Sequence, residues 1–268
     1  MEAGCHEIYA IRYGHLARRS PENFVGGDVH DVPMPLDYFV WVIRGDDGIH
    51  LVDTGFSEAT ARRRSRNIVT PVREGLLAVG VEPDSVRSVI LTHLHYDHAG
   101  NTPLFANATY HVQEREMAFC TGRHMCRYDH AHHYEAEDVG HVVRQLFEGR
   151  VSFHAGDSDL APGISLHHVG GHTDGLQVVR VRTARGWVVL ASDATHFFAN
   201  IETGRPFPAV FDLDAMKEGF RRLHSLASSP AHIIPGHDPE VVARYPELTK
   251  GTEGWIVRVD APPRGPRA

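Results

Sequence analysis

Val89-Ile90-Leu91-Thr92-His93-Leu94-His95-Tyr96-Asp97-His98-Ala99-Gly100 is the stretch from which the fold can be read. It opens on an aliphatic run of the kind that fills a buried strand, then packs three imidazoles and a carboxylate into six positions. Alternation along a strand directs His93 and His95 to the same side. The turn that follows can carry Asp97 and His98 to a neighbouring point about 3.5–4 Å away, the separation of a two-metal site. One ion cannot easily use all four groups, so the stretch predicts a metal centre at a strand end.

Three later segments repeat the pattern of an apolar run followed by a ligand. Leu166–Val169 leads into Gly170-Gly171-His172-Thr173, Val188–Leu190 into Ala191-Ser192-Asp193, and Ile233-Ile234 into Pro235-Gly236-His237-Asp238. Loops at one sheet edge can bring such groups together. Asp53, in Leu51-Val52-Asp53-Thr54-Gly55, has the same placement and either orients a ligand histidine or caps a turn.

Around these motifs, short β-branched and aromatic runs predict strands at 38–43, 50–52, 86–91, 109–113, 164–169, 177–181, 187–190 and 232–234. Helical patterns cover 57–80, 136–147 and 214–227. Arg62, Arg63, Arg64 and Arg66 read as a solvated helix face. Residues 117–137 are polar and His-rich, which suggests a cap that contacts substrate. Its His124, His130, His132 and His133, with Cys120 and Cys126, lack a paired zinc-finger spacing and read as surface or cavity-lining groups.

The 268 residues are 42% hydrophobic and 23% charged, enough apolar material for a sizeable core. Lys and Arg number 27 against 34 Asp and Glu, a net charge of -7, which removes any general attraction to nucleic acid or an anionic membrane. The count of 21 histidines is the outlying feature, and imidazole is the commonest metal ligand. Three cysteines, Cys5, Cys120 and Cys126, argue against a disulfide framework. With no leader-like segment and no apolar run near the roughly 20 residues of a membrane span, the expectation is a cytoplasmic protein. One domain is expected over 1–260, with an inserted cap near 115–150 and a disordered tail at 261–268. The segment Arg12–Pro35 is read as wrapping a partner in a homodimer or covering the mouth of the site.

Together the His-x-His-x-Asp-His run at His93, His95, Asp97 and His98, the Gly-His-Thr at His172, the Ser-Asp at Asp193 and the Pro-Gly-His at His237 resemble the metallo-β-lactamase superfamily over about Tyr38 to His237. The resemblance implies an α/β fold, the αβ/βα metallo-β-lactamase-type four-layer sandwich. It also implies two divalent metal ions, zinc by the family pattern: His93, His95 and His172 for the first, Asp97, His98 and His237 for the second, with Asp193 and a water bridging both. His-Leu-His-Tyr-Asp-His-Ala-Gly and Asp53-Thr54-Gly55 are most similar to the N-acyl-homoserine lactonase group. That likeness implies quorum-signal lactone opening by a metal-bridging hydroxide, with Asp97 returning the proton.

The lactonase group usually has a tyrosine three residues after the bridging aspartate; here the position is His196, expected to donate to the substrate carbonyl. Phe119, Phe197, Phe198 and Phe207 are candidates for the acyl groove. The alternatives are an aromatic-pathway lactonase, a thioesterase or a small phosphoesterase on the same site, or a ligand sensor without turnover. All of these take a small molecule. A site of histidines and carboxylates also accepts iron, manganese or cobalt.

Overall fold

The computed structural model describes residues 4–264. Strands β1 (Glu7–Leu16), β2 (Leu36–Gly45), β3 (Gly48–Val52), β4 (Asn67–Ile68), β5 (Ser88–Ile90), β6 (Thr109–Gln113) and β7 (Val151–His154) belong to a first sheet. Strands β8 (Ser158–Ala161), β9 (Ile164–His168), β10 (Gln177–Thr183), β11 (Gly186–Ser192) and β12 (Ile233–Pro235) form a second, and β13 (Ile256–Arg258) returns to the first. The first runs β13-β1-β2-β3-β5-β6-β7, with β4 beside β1, and the second β12-β11-β10-β9-β8. The α-helices among the described residues are α1 (Glu58–Arg64), α2 (Val72–Ala78), α3 (Tyr96–Ala99), α4 (Glu114–Cys120), α5 (Tyr128–Ala131), α6 (Ala136–Phe147), α7 (Phe198–Thr203), α8 (Leu213–Leu226) and α9 (Glu240–Arg244), and short 3-10 turns join some of them.

Alternation on the strands builds the layers. On β2, Phe39, Trp41 and Ile43 face the second sheet and meet Leu166, Val179, Val181, Val188 and Leu190, while Tyr38, Val40 and Val42 face outward onto Leu76 of α2, Val142 of α6 and Phe56. The outer face of the second sheet, Val178, Val189 and Ala191, is covered by Phe220 and Leu223 of α8. The order is therefore helix, sheet, sheet, helix, the four-layer sandwich expected from the sequence. Each fully buried large apolar side chain contributes roughly 1.5–3 kcal/mol, so the inter-sheet layer alone fixes the two sheets against each other.

That clamp matters because the ligand-bearing loops leave both sheets. β9 and β11 run alike beside the antiparallel β10, and β12 is parallel to β11, so the segments after all three emerge at one edge. The loop after β5 reaches the same edge: Thr92 Oγ1 lies 2.8 Å from Ser192 Oγ, and Gln177 donates from its amide side chain to Leu91 O at 2.8 Å and from its backbone N–H to Thr92 O at 2.9 Å.

The eight expected strands are present, and α6 matches its expected span. The helix expected over 57–80 is two helices. Ser57 caps the first by accepting from Thr60 N–H, Ser65 ends it in the left-handed region at φ 52°, and a two-residue strand intervenes before Pro71 opens the second. Strands β1, β4, β7, β8 and β13 lie outside the expected set. β1 carries Arg12, Gly14 and His15 and a register shift between Arg12 and Gly14, which breaks its alternation. In the tail, Arg264 N–H donates to Arg244 O at 2.6 Å, and residues 265–268 lie outside the described part.

Candidate metal centre

The chain delivers each ligand candidate from a strand end by a local device. After β5, His93 and His95 alternate as expected, and the four-residue α3 then turns Asp97 and His98 back toward them. After β11, Ser192 takes φ 44°, a left-handed residue that sharply redirects the chain and presents Asp193. Gly236 lets the loop after β12 approach this turn: a Cβ there would meet the Ser192 carbonyl at 2.7 Å and Asp193 Oδ1 at 3.1 Å. His93, His95, Asp97, His98, His172, Asp193, His196 and His237 are all buried.

Four metal-capable triads occur among the described residues: His93, His95 and His172; His93, His98 and Asp193; Asp97, His98 and His237; and His172, Asp193 and His196. Asp193 joins them. Its Oδ2 lies 3.1 Å from His172 Nε2 and 4.0 Å from His93 Nε2, whereas Oδ1 lies 2.9 Å from His237 Nε2 and 3.3 Å from His98 Nε2. One carboxylate thus faces two histidine groups with different oxygens. Asp97 Oδ2 adds a second carboxylate 3.7 Å from His98 Nε2 and 3.9 Å from His237 Nε2.

The remaining imidazole nitrogens are fixed from behind. Nδ1–H of His98 donates to Asp53 Oδ2 at 2.8 Å, that of His172 to Ala209 O at 2.7 Å, and that of His237 to Asp37 O at 2.9 Å. Each bond leaves the Nε2 lone pair aimed into the cluster. His93 Nε2 and His98 Nε2 are buried with no hydrogen-bond partner, an arrangement that costs free energy unless a cation takes the lone pairs. The donor set fits two divalent cations.

Electrostatics suit His93 and His95 to ligand duty and draw positive charge to His98 and His237. Burial pushes the proton affinity of His93 and His95 well down, with the neighbouring imidazoles His98 and His93 respectively adding to it, so both are neutral. Burial also opposes ionisation of Asp193, yet His196, His237, His98 and His172 outweigh it and hold the carboxyl well below its ordinary range. For His98 and His237, burial lowers the value but Asp193 more than reverses this, helped at His98 by Asp53 and at His237 by Asp97.

His196 enters the cluster in an unexpected way. Its Nε2 is 3.0 Å from Asp193 Oδ2, its ring stacks on Phe207 at 3.7 Å and 8°, and Nδ1 is buried without a partner. Of the four phenylalanines expected in an acyl groove, Phe207 alone lines the cavity over the ligand cluster, which has a volume of about 220 Å³. Phe119 borders a smaller adjoining space, Phe198 packs between the sheets, and Phe197 belongs to the outer core. His132 and His133 of the expected cap reach the cavity, and His133 stacks on His95 at 4.9 Å. His124 and His130 pack around Phe119 and Phe211 instead.

Sequence reading overlooked Glu116. Fully buried, it accepts from Leu94 N–H at 2.9 Å and Tyr134 Oη–H at 3.0 Å on Oε1 and from Thr173 Oγ1–H at 2.6 Å on Oε2. It ties the His93–His95 loop to the His172 loop and to the segment beyond α5. The two segments close tightest at Gly175, distant in sequence, where a Cβ would meet the Glu116 backbone nitrogen at 2.1 Å. The arginine run also departs from expectation. Arg62 and Arg63 are exposed, but Arg64, at the end of α1, and Arg66, which the left-handed turn at Ser65 swings inward, are half-buried in the cavity wall.

Residues 34–237, whose strand ends carry this cluster, match the family described as the metallo-beta-lactamase superfamily. The chain belongs to that superfamily. Within the metallo-β-lactamase superfamily, it is 29% identical to an N-acyl homoserine lactonase of a Bacillus species over 230 residues, 80% of this chain and 84% of the relative. It is 28% identical over 187 residues to the N-acyl homoserine lactonase AiiB of Agrobacterium fabrum, 68% of this chain and 66% of that protein. Among solved structures, a quorum-quenching N-acyl homoserine lactone lactonase superposes with a TM-score of 0.73 at 27% identity, covering 90% of this chain and 95% of the other. A homoserine lactone hydrolase with N-hexanoyl-L-homoserine at its catalytic metal centre gives 0.71 at 26% identity, covering 88% and 94%.

Proposed function

We propose that this metallo-β-lactamase-superfamily chain is a binuclear metal-dependent hydrolase that opens the ring of N-acyl-homoserine lactones. The observation that carries the reading is Asp193, whose two oxygens face two separate histidine groups in a fold shared with lactonases. His93, His95 and His172 would hold one cation, Asp97, His98 and His237 the other, and Asp193 both. Cations held there would supply acidification of a bound water and withdrawal of charge from an ester carbonyl.

The other work falls to the chain's own groups. Asp53 and the carbonyls of Ala209 and Asp37 hold three imidazoles in the ligating tautomer. Asp97, in the cavity wall, is placed to take a proton and return it to the leaving alkoxide. Phe207, Leu16 and Leu36 supply apolar wall for the ring and the first carbons of the acyl chain. His196 is read differently from its sequence assignment. Burial drives its proton affinity down to about 3, so it is neutral with one N–H, and that N–H is engaged by Asp193 Oδ2. We therefore assign it to positioning the shared carboxylate in place of donating to the ester carbonyl.

Zinc as the native metal, a cytoplasmic location, a homodimer and a cap role for the segment near 115–150 are parts of the same proposal. The three unpaired cysteines fit a reducing compartment, and His132 and His133 in the cavity wall fit a cap. The deciding experiment follows proton release from N-hexanoyl-homoserine lactone with zinc-loaded and chelator-stripped protein. Chelator-sensitive turnover with kcat/KM of about 10⁴ M⁻¹s⁻¹ or more is expected. No turnover by protein carrying two metals would overturn the lactonase reading.

A further inference from the structure

The cavity over the metal cluster holds a feature that a neutral acyl chain does not require. Arg18, between β1 and β2, and Arg66, after α1, both line it, and both are half-buried. Among the described residues no carboxylate forms an ion pair with either, whereas Arg63 and Arg64 share Glu135. Their bonds go to neutral oxygens. Arg18 donates from Nε to Asn23 Oδ1 at 2.8 Å and from Nη2 to Glu22 O at 2.6 Å. Arg66 donates from Nε to Tyr96 Oη at 3.0 Å and from Nη1 to Arg64 O at 2.6 Å. Nη1 of Arg18 and Nη2 of Arg66 are left without a protein acceptor among the described residues.

The two guanidiniums are held in place by aromatic faces. Arg18 lies 5.0 Å from the centre of the Phe207 ring, the ring that stacks on His196, and Arg66 lies 5.8 Å from that of Tyr96. Tyr96 Oη is in turn 3.2 Å from Tyr38 Oη, and the Tyr38 ring meets His237 edge-on at 5.3 Å. Arg66 is thus one aromatic pair from the ligand cluster, and Arg18 one ring from His196. Burial lowers the proton affinity of Arg18, Glu22 opposes this and Arg66 adds to it, whereas at Arg66 the neighbouring Tyr96, Tyr38 and Asp97 outweigh burial and raise it. Neither guanidinium is bonded directly to a carboxylate, so an anion entering the cavity can take the donors that remain. The two Nη groups without a protein acceptor offer donors to the oxygens of a carboxylate entering this cavity.

We propose that this cavity selects lactones whose substituent carries a carboxylate, with Arg18 and Arg66 binding that carboxylate while the ester lies at the metal cluster. The proposal rests on the lactonase reading and names the substrate class within it.

The test compares N-hexanoyl- and N-adipoyl-homoserine lactone, which differ by a terminal carboxylate in place of a methyl group, on the zinc-loaded enzyme. At low ionic strength kcat/KM is expected to favour the adipoyl compound by about tenfold or more, through KM, and 0.5 M salt should shrink the ratio. R18Q and R66Q should each bring the ratio down toward one, and R18K and R66K should restore part of it. A wild-type ratio of one or below, with the hexanoyl lactone opened, overturns the proposal and leaves the lactonase reading standing. If neither lactone opens, the lactonase reading falls, and calorimetric binding of adipate to the holoenzyme decides the anion site. Binding weakened tenfold by R18Q or R66Q supports the site, and no binding or unaltered binding overturns it. Tighter competition by inorganic phosphate than by adipate would overturn the carboxylate assignment.

Discussion

Asp53 Oδ2 accepts a hydrogen bond from His98 Nδ1 at 2.8 Å while the same carboxylate receives Thr92 N–H and Thr92 Oγ1–H, each at 2.8 Å. This buried group therefore orients a ligand candidate and braces the strand end that supplies His93. Burial raises its proton affinity, against the pull of His98 and Thr92. Partners of this kind cost about 10–100-fold in metal affinity or activity when removed. Asp53 also sits at φ 60°, which Asn tolerates and Ala does not. Asp53→Asn should fold, bind metal about tenfold or more weakly and lose turnover in step; equilibrium dialysis with unchanged metal affinity would remove Asp53 from the centre.

Asp193 is expected to behave as a ligand common to both groups of histidines, because its two oxygens divide between them. Asp193→Ala should reduce bound metal below two per chain and cut turnover by at least about 10²-fold, with circular dichroism preserved. Chelation of the wild-type protein should lower Tm, since ligand held at 100 times its Kd contributes about 2.7 kcal/mol to stability. Two metals retained in the variant would refute the shared-ligand geometry.

His196 offers a sharper choice. With its N–H on Asp193 Oδ2, His196→Ala should weaken metal affinity about 10–100-fold, and His196→Asn should recover part of that by keeping a donor. Metal affinity left intact with kcat down about 10²–10³-fold would make it a donor to the carbonyl oxygen instead. Metal titration alongside steady-state kinetics separates the two.

Glu116 has no contact with the proposed ligands' metal-facing atoms, yet three donors from three segments converge on it. Its burial raises its proton affinity, which the hydrogen bonds from Thr173, Leu94 and Tyr134 oppose. Glu116→Ala leaves those donors unpaired in a site with no solvent, at a cost on the order of 3–5 kcal/mol and a fall in Tm of about 10 °C. Glu116→Gln keeps acceptor capacity for part of the set and should cost less. Equal Tm values for all three proteins in a thermal melt would contradict this.

The layers and the ligand cluster were legible because they obey local rules. Phe39, Trp41 and Ile43 alternate with Tyr38, Val40 and Val42, and each ligand follows an apolar run, so a period of two and a strand end suffice to place them. Long-range geometry was not legible. Nothing near Glu116 in the chain reports that Thr173 will close on it, and Arg66 reads as helix surface until Ser65 is seen to leave the helix. The same limit misplaced Phe198, whose neighbours in the inter-sheet core, Val241 and Tyr245, are distant in sequence.

Asp138, in the first turn of α6, supplies a pH test away from the metal cluster. Burial raises its carboxyl to about 7, Glu135 and Glu137 add to this, Arg63 and Arg64 oppose it, and Oδ2 has no hydrogen-bond partner. An unfolded aspartate titrates near about 3.9, so between that value and 7 the folded chain holds the extra proton. Stability then falls as pH rises through this window, and the penalty is complete above pH 7. The carboxylate is partly exposed, so solvent screening leaves a cost on the order of 1–2 kcal/mol. Asp138→Asn should therefore raise Tm by about 2–5 °C at pH 8.5 and change it little at pH 5. A variant that gains equally at both values would show that packing, and not the buried charge, sets the effect.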